Sequence, residues 1–402
     1  MNKPKIRFNE FENIWTKSKL GELYEVYSGN TPSRSDNRNY QNGEIPWIKT
    51  TDLNNSIICS NEEKISVYGA TKLKVLPEKS VLIAMYGGFN QIGRTGLLAY
   101  PATINQALVA LMPVNEINPN FLLNFLNFKK ESWRNVAASS RKDPNITKND
   151  VEKFKISFPS IDEQSAIGFL FRTLDDLLAS YKDNLANYQS LKATMLSKMF
   201  PKAGQTVPEI RLDGFEGEWK VVNLGTLIEN YDEIISGASG FPIATSSRKG
   251  LYLQNDYFEG GRTGIDLTLD FHRVPMGYVT YRHMSDDSIF KFNKNNFETD
   301  VLVSKEYPVF INNDNSDIDF LLYHLNNSRL FLRFSTMQKL GGTRVRLYYK
   351  NLITYKIAVP TVKEQQAIGT YFSNLDNLIN SHQEKISQLE TLKKKLLQDM
   401  FI

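Results

Sequence analysis

Two stretches of the chain carry apolar residues at helical spacing. The first stripe runs through Ile167, Leu170, Leu174, Leu177, Tyr181, Leu185, Tyr188, Leu191 and Met195, and the second through Ile368, Tyr371, Leu375, Leu378, His382, Ile386, Leu389, Leu392 and Leu396. The mean spacing of about 3.5 residues is the coiled-coil period, with one break in the alternation of three and four, near Leu185 and Ile386. We therefore predict two long helices that pair with each other, most simply antiparallel.

The residues in front of each stripe predict where each helix begins. Pro159 and Pro360 end strand-like runs, and each is followed by a hydroxyl residue with a glutamate three positions later, at Ser160-x-x-Glu163 and Thr361-x-x-Glu364. This spacing is typical of a capping box, in which hydroxyl and carboxylate satisfy free amides of the first turn. Helices of about 38 residues would be ~57 Å long.

The chain contains an internal duplication. Residues 4–25 align without a gap with residues 208–229, and residues 154–200 align with 355–401. We call these matched segments the frame, and the dissimilar stretches between them, 26–140 and 230–340, the bodies. Drift after gene duplication would blur all parts alike, so divergence confined to the bodies suggests that each body faces a different target.

The bodies show short strand patterns and one amphipathic helix each. We predict strands at 80–85, 277–281 and 301–304, and helices around 121–126 and 320–325. The fold class is therefore α+β (mixed α/β): two similar globular domains separated by two long antiparallel coiled-coil helices, with a pseudo-twofold internal repeat. The predicted domains are residues 1–160, a spacer helix at 161–203, residues 204–361 and a second spacer helix at 362–402.

Composition and charge exclude few classes of function. The net charge is +4, residues 1–162 hold 21 basic and 16 acidic side chains, and residues 201–363 hold 19 of each, so basic groups would have to cluster on one face to bind an anionic partner. The chain has one cysteine, Cys59, which we expect to be a small buried residue, and no apolar run long enough to span a bilayer. Since it also lacks an apparent secretory signal, we expect a cytoplasmic protein.

Polar loops in the bodies are candidates for binding nucleic acid. Arg and Lys suit phosphates and guanine, and Asn and Gln suit adenine, although solvated surface loops have the same composition. The candidate residues are Arg34, Arg38, Lys49, Asn90, Gln91, Arg94, Arg141 and Lys142 in the first half, and Arg248, Lys249, Arg262, Tyr281, Arg282, Arg344 and Arg346 in the second.

Two motifs resemble catalytic signatures and are better explained otherwise. Residues 118–121, Asn-Pro-Asn-Phe, are similar to the Asn-Pro-Pro-aromatic motif of amino-methyltransferases, but Asn118 is more simply a helix cap. Residues 88–95 mimic a phosphate-binding loop, yet Arg94 replaces its lysine and the following sequence predicts a strand. The histidines show no metal-site spacing, and His382 is expected to pack between the helices, so we predict no catalytic and no metal site.

The order of motifs resembles that of specificity subunits of type I restriction-modification systems over essentially the whole chain. The matching features are Trp15 and Trp219, the Leu-Gly pairs at 20–21 and 224–225, Ile-Pro-Trp-Ile at 45–48, Ala-Thr-Ile-Asn-Gln at 102–106, Pro-x-x-x-Glu-Gln-x-x-Ile at 159–167 and 360–368, and the Met-Phe pairs at 199–200 and 400–401. The second body lacks a clear counterpart of the motifs at 45–48 and 102–106.

The resemblance implies a non-catalytic subunit that reads double-stranded DNA with a bipartite site, one half per domain, and whose helices set the spacing. It implies two methyltransferase subunits and restriction or motor subunits as partners, no membrane, and no cofactor in this chain, with S-adenosylmethionine and ATP held by the partners. Positions beside the stripes could touch those partners, namely Glu163, Gln164, Glu364 and Gln365, although capping alone explains the glutamates.

Two other functions remain open at this point. The chain could be an enzyme, a fused methyltransferase or nuclease, because a dispersed cluster of carboxylates is not visible in a sequence. It could also be a coiled-coil adaptor that binds only proteins.

Overall fold

The computed structural model describes residues 3–88, 90–137, 145–257, 266–339 and 344–402, without the side chain of Arg134. Its internal contacts divide the chain into two units. Unit 1 is Met1–Lys182 with Glu384–Ile402, and unit 2 is Asp183–Gln383. Cys59, expected to be buried, is exposed. None of the helices in the described part of the chain combines the length and apolar character needed to cross a membrane.

The body of unit 1 mixes short strands and helices. The strands are β1 (Thr16–Lys19), β2 (Val26–Ser28), β3 (Ile45–Ile48), β4 (Ser56–Ile58), β5 (Lys64–Ile65), β6 (Val81–Ala84), β7 (Thr95–Leu98), β8 (Thr103–Ile104), β9 (Leu108–Leu111) and β10 (Lys155–Phe158). The helices are α1 (Leu20–Leu23), α2 (Val67–Ala70), α3 (Pro119–Phe128), α4 (Lys130–Val136), α5 (Lys148–Lys153) and the long α6 (Ile161–Lys198). A five-stranded sheet has the order β2-β9-β6-β7-β4, another has β5-β3-β8, and β1 pairs with β10.

The body of unit 2 arranges its strands differently. They are β11 (Lys220–Asn223), β12 (Ile228–Tyr231), β13 (Ile234–Ser236), β14 (Ala244–Ser247), β15 (Gly250–Leu253), β16 (Asp270–Val274), β17 (Val279–Tyr281), β18 (Met284–Ser285), β19 (Phe292–Lys294), β20 (Val301–Ser304), β21 (Val309–Asn312), β22 (Val345–Arg346) and β23 (Lys356–Val359). The helices are α7 (Gln254–Tyr257), α8 (Ile318–Asn327), α9 (Arg329–Met337), α10 (Tyr349–Leu352) and the long α11 (Val362–Met400). The sheets are β12-β21-β17-β19, β13-β16-β20, β14-β15, β18-β22 and β11-β23.

The frame is built in the same way in both units. The opening strand pairs antiparallel with the strand before the long helix, Lys19 opposite Lys155 in unit 1 and Asn223 opposite Lys356 in unit 2. A phenylalanine at the end of a long helix packs edge-on against the buried opening tryptophan. The ring centroids are 6.4 Å apart for Phe401 and Trp15 in unit 1, and 6.2 Å apart for Phe200 and Trp219 in unit 2. The duplication seen in the sequence is therefore a duplication of tertiary contacts.

The two predicted long helices are present, with 38 residues in α6 and 39 in α11. They run antiparallel inside each unit. In unit 1 the Lys393 amine pairs with the Asp175 carboxylate, and the Lys182 amine lies 2.7 Å from the Glu390 carboxylate. In unit 2 Lys192 pairs with Asp376, and the Tyr188 ring contacts His382 edge-on, as expected for a histidine packed between helices.

The phase of the predicted stripes is partly wrong. Leu177, Leu191, Leu378 and Leu392 are exposed, with 41%, 37%, 41% and 44% of their surface accessible. A stripe with regular spacing runs through buried and half-buried positions of both helices. It comprises Ile167, Phe171, Leu174, Leu178, Tyr181, Leu185, Tyr188, Lys192 and Met195 of α6 with Met199 just after it, and Ile368, Phe372, Leu375, Ile379, His382, Ile386, Leu389, Lys393, Leu396 and Met400 of α11. This stripe alternates steps of four and three without a break, whereas the prediction had one. Leu170, on the predicted stripe, is partly buried against the unit 1 core.

Candidate nucleic-acid interface

In unit 2 the fold brings together basic residues that are far apart in sequence. A cleft of about 800 Å³ is lined by Arg248 and Lys249, by Arg282 and Lys291, and by Arg344. We call it the cationic cleft. Four of these residues were predicted from the composition of their loops, and Lys291 was not. Of the other predicted residues in this half, Arg262 lies outside the described residues.

The turn that carries Arg248 and Lys249 is held by its neighbours. The Asn293 side-chain amide of β19 donates to Ser246 Oγ at 2.8 Å and to the Ser247 carbonyl at 2.9 Å. Ser247 Oγ in turn accepts from the Lys249 amide at 3.1 Å. Gly250 closes the turn with φ +143°, in the left-handed region that favours glycine. The two basic side chains are thus presented from a fixed backbone.

Carboxylates neutralise some of the cations in the cleft. The Arg248 guanidinium lies 2.5 Å from Asp287, and it is the main reason that the pKa of that carboxyl falls to about 2. The Arg344 guanidinium lies 2.9 Å from Asp286. Lys249, Arg282 and Lys291 have no carboxylate within 4.0 Å among the residues that the structure describes. The cleft therefore keeps a net positive charge that suits a polyanion.

Two residues predicted to contact nucleic acid in this half do not line the cleft. Tyr281 is fully buried, and its hydroxyl donates to the Leu347 carbonyl at 3.0 Å, so it is a core residue and that prediction is wrong. Arg346 is exposed on β22, outside the lining of the cleft.

In unit 1 the predicted basic residues lie on aromatic rings and carboxylates. The Arg34 guanidinium stands 4.3 Å from the Tyr40 ring centroid and 5.2 Å from that of Trp47, and it pairs with Glu63. The Lys49 amine reaches the same carboxylate at 2.7 Å. Arg34, and then Lys49, lower the pKa of Glu63. This group remains positively charged, since two cations share one carboxylate.

Arg38 forms a separate pair. Its guanidinium donates to both Asp36 oxygens, at 2.9 and 2.8 Å, and stacks 4.7 Å from the Tyr68 ring centroid. The side chain is exposed on the surface of the turn after Pro32. Because an aromatic ring and a carboxylate already orient this exposed arginine, it would lose little side-chain entropy on contact with a ligand.

The predicted residues around Asn90 occupy a tight turn. Asn90 is exposed and Arg94 is half-buried, just before strand β7. Gln91 packs inward, and its side-chain carbonyl is buried without a hydrogen-bond partner among the described residues. Gly93 has φ +72°, and a Cβ there would lie 2.4 Å from the Trp133 ring. Arg141 and Lys142 lie outside the described residues.

The four residues predicted to touch partner proteins are instead buried frame residues, so that prediction is wrong. Glu163 and Glu364 are each 1% exposed and receive two hydrogen bonds from an arginine of the opening segment. The Arg7 nitrogens lie 2.8 and 2.7 Å from the Glu163 carboxylate oxygens, and those of Arg211 lie 2.7 and 2.6 Å from the Glu364 oxygens.

Gln164 and Gln365 close a second matched contact. The side-chain carbonyl of Gln164 accepts from the backbone amide of Asn118 at 2.9 Å, and the side-chain carbonyl of Gln365 accepts from the backbone amide of Asp317 at 3.0 Å. The side-chain amides donate to backbone carbonyls, that of Gln164 to Pro159 at 2.9 Å and that of Gln365 to Pro360 at 3.1 Å. These glutamines tie each long helix to the start of the body helix, α3 or α8.

Only half of each predicted capping box forms. The amide of Glu163 lies 3.5 Å from Ser160 Oγ, and the amide of Glu364 lies 3.4 Å from Thr361 Oγ1, but both carboxylates turn to the arginines. Asn118, by contrast, caps α3 as predicted, accepting from the Asn120 and Phe121 amides at 3.0 and 3.2 Å.

The described residues contain no group of three or more His, Cys, Asp or Glu side chains that could hold a metal ion. The buried histidines have structural contacts. His272 bridges the carbonyls of Tyr307 and Tyr231 at 2.7 and 2.9 Å, and His324 bonds the Tyr355 hydroxyl at 2.8 Å.

One residue of the cleft that the sequence analysis missed had a detectable signal. Phe290 and Phe292 are buried on either side of Lys291, which places the lysine on the opposite face of an extended segment. An alternating apolar pattern with lysine at the polar position predicts that the lysine faces away from the core. The pattern does not predict which residues or ligands that face contacts.

Comparisons with known proteins agree with this architecture. The family model for the type I restriction modification DNA specificity domain matches residues 12–187 and 253–391. The EcoR124I/EcoR124II type I restriction enzyme specificity subunit of Escherichia coli is 28% identical over 45% of each chain. The MjaVIII specificity subunit of Methanocaldococcus jannaschii is 21% identical over 95% of this chain and 91% of its own.

A solved structure shares the fold over the full length. The type I restriction-modification S subunit from M. genitalium covers 100% of this chain and 99% of its own, with a TM-score of 0.61 and 16% sequence identity. At that identity the likeness concerns the fold alone. Because the family model covers most of the chain, the chain belongs to the family of type I restriction modification DNA specificity domains.

Proposed function

We propose that this chain recognises DNA for a type I restriction-modification enzyme, with each unit reading one half of a bipartite double-stranded site. The observation that carries the proposal is the contrast between frame and bodies. Three frame contacts recur in both units at nearly equal distances: the Arg–Glu pair, the contact of a glutamine with the start of the body helix, and the Trp–Phe contact. The sheets between them differ in strand order. A constant frame with two different bodies suits two different half-sites.

The chemistry of the bodies supports contact with DNA. In unit 2 the cationic cleft keeps three basic side chains without carboxylate partners in the described chain, and these suit phosphates. Arg248 and Arg344 are oriented by Asp287 and Asp286, and the planar guanidinium matches the acceptors of guanine. In unit 1, Arg34, Arg38 and Lys49 provide the corresponding basic surface.

The duplicated frame also supports partner binding. A surface that occurs twice in one chain can bind the same kind of subunit twice, so we infer two methyltransferase subunits, and restriction subunits beyond them. In this proposal the partners supply S-adenosylmethionine and ATP, and this chain contributes no catalytic group. Since the four glutamate and glutamine residues are buried, the binding surface must consist of other residues of the helices and bodies.

Methylome sequencing of cells with and without the gene tests the proposal. We expect methyladenine to disappear at one bipartite motif when the gene is deleted. Replacing residues 26–140 should change one half of that motif, and replacing 230–340 should change the other. A change in both halves, or in neither, would contradict the assignment of one half to each unit.

Two rival functions predict other results. A fused methyltransferase or nuclease predicts that the purified chain modifies DNA by itself with S-adenosylmethionine or a metal ion. A protein-only adaptor predicts no sequence-dependent DNA affinity even in the assembled complex.

A further inference from the structure

A second cavity lies beside the cationic cleft in unit 2. Its volume is about 620 Å³, and it extends along β19 and α8 to residues Ser373 and Asp376 of α11. Lys249 and Lys291 line both cavities, so the two spaces meet at these side chains. We call this pair the lysine bridge.

The carboxylates of the second cavity are already occupied. Asp376 pairs with Lys192 and accepts from the Tyr323 hydroxyl at 2.7 Å, and Asp319 lies 2.6 Å from the Lys294 amine. The amines of the lysine bridge form no ion pair and no hydrogen bond within the described part of the chain. Both cations thus lie at the junction of the two cavities without a direct carboxylate partner in the described chain.

The position of Lys291 makes this charge costly without an anion. Lys291 is half-buried, and its burial, together with the nearby charge of Lys192, lowers its pKa more than the Asp376 carboxylate raises it. A partly desolvated ammonium gains most from an oxyanion that replaces its lost water. Lys249 stands on the neighbouring turn, which is held by Ser247 and by the Tyr252 hydroxyl at 3.1 Å from the Lys249 carbonyl.

We propose that the lysine bridge binds consecutive phosphates of one DNA strand and leads its backbone from the cationic cleft into the second cavity beside α11. The inference rests on the proposed function and adds to it a specific path for the strand. Phosphodiester contacts carry no base information, so the lysine bridge contributes affinity and not sequence preference.

The test measures DNA affinity against salt concentration. The full chain, assembled with its methyltransferase subunits, is titrated with two fluorescent duplexes, one with the methylated motif and one without it. We expect Lys291→Met and Lys249→Met each to reduce the slope of log affinity against log salt by about 0.9 and to weaken both duplexes by the same factor. Lys291→Arg should restore the slope, because it restores the charge.

Lys356→Met is the matched control. This lysine is exposed on the frame strand β23 of the same unit and lines neither cavity, so its loss should leave the slope unchanged. Lys249→Met changes an exposed turn and keeps the test valid if Lys291→Met disturbs folding. An unchanged slope in Lys249→Met and Lys291→Met, an equal loss in Lys356→Met, or a loss confined to the motif duplex would overturn the lysine bridge alone. Failure of the unmodified complex to bind either duplex would overturn the proposed function as well.

Discussion

The imidazole of His324 is enclosed in the core of unit 2, where Phe200 and Tyr355 cover it. Burial lowers the pKa of His324 from 6.5 to about 4. Between pH ~6.5 and ~4, His324 therefore binds a proton in the unfolded chain but stays neutral in the folded chain. Stability from this residue is complete above pH ~6.5 and is lost as the pH falls towards 4.

We predict that unit 2 loses about 2 kcal/mol of stability at pH 5 relative to pH 7.5 through His324. His324→Phe should remove this part of the pH dependence. Hydrogen exchange of the α8 amides, compared between variant and wild type at each pH, measures it. Tyr355→Phe is the control: it removes the hydrogen bond and keeps the buried imidazole, so the pH dependence should persist. Equal pH profiles for His324→Phe and wild type would contradict the prediction.

At the scale of residues, the sequence predicted contacts made within a few positions and missed those made across the fold. Asn118 caps a helix as its local sequence indicates. Glu163 also matches a local pattern, yet Arg7, 156 positions away, takes its carboxylate. A bidentate ion pair in a buried site is stronger than a capping contact, so the distant partner prevails. Likewise, nothing near Arg344 indicates that Arg248 is its neighbour in the cleft.

At the scale of elements, periodicity predicted both long helices but left their phase open. Leu177 and Leu178 are adjacent and equally apolar, as are Leu378 and Ile379. Packing decides between them: Leu178 and Ile379 are 8% and 9% exposed, whereas Leu177 and Leu378 are each 41% exposed. Choosing Leu178 and Ile379 also places Lys192 and Lys393 on the buried stripe, where each pairs with an aspartate of the other helix. Lysine at such a position is invisible to a search for apolar spacing.

This correction predicts different costs for neighbouring substitutions. Leu178→Ala should lower the free energy of unfolding by roughly 2–3 kcal/mol, since it removes buried methyl groups and leaves a cavity. Leu177→Ala should cost under about 1 kcal/mol, because its side chain stays largely in water. Urea unfolding of the two variants compares them directly, and Ile379→Ala and Leu378→Ala repeat the comparison in α11. If the two neighbouring leucine or isoleucine variants of either helix lost equal free energy of unfolding, the stripe predicted from the sequence would be favoured again.

At the scale of the whole molecule, each long helix begins in one unit and ends in the other. The buried stripe keeps the 4-3 alternation through ten positions of each helix. A change in helix length preserves this pattern only if it adds whole heptads, that is, two turns. In the proposed function these helices set the number of base pairs between the two half-sites.

We predict that one heptad inserted into α6 between Tyr181 and Leu185, and one into α11 between His382 and Ile386, lengthens the spacer of the methylated motif by about three base pairs. Seven residues add ~10 Å of helix, and base pairs stack at ~3.4 Å. Methylome sequencing reads the new spacer. The control places seven Gly and Ser residues beside Gly204, in the connection after α6, where a glycine with φ +78° has no neighbour within 4 Å. That insertion adds equal mass outside the helices and should leave the spacer unchanged. An unaltered spacer after the heptad insertions, in an active complex, would mean that the half-site spacing is set elsewhere.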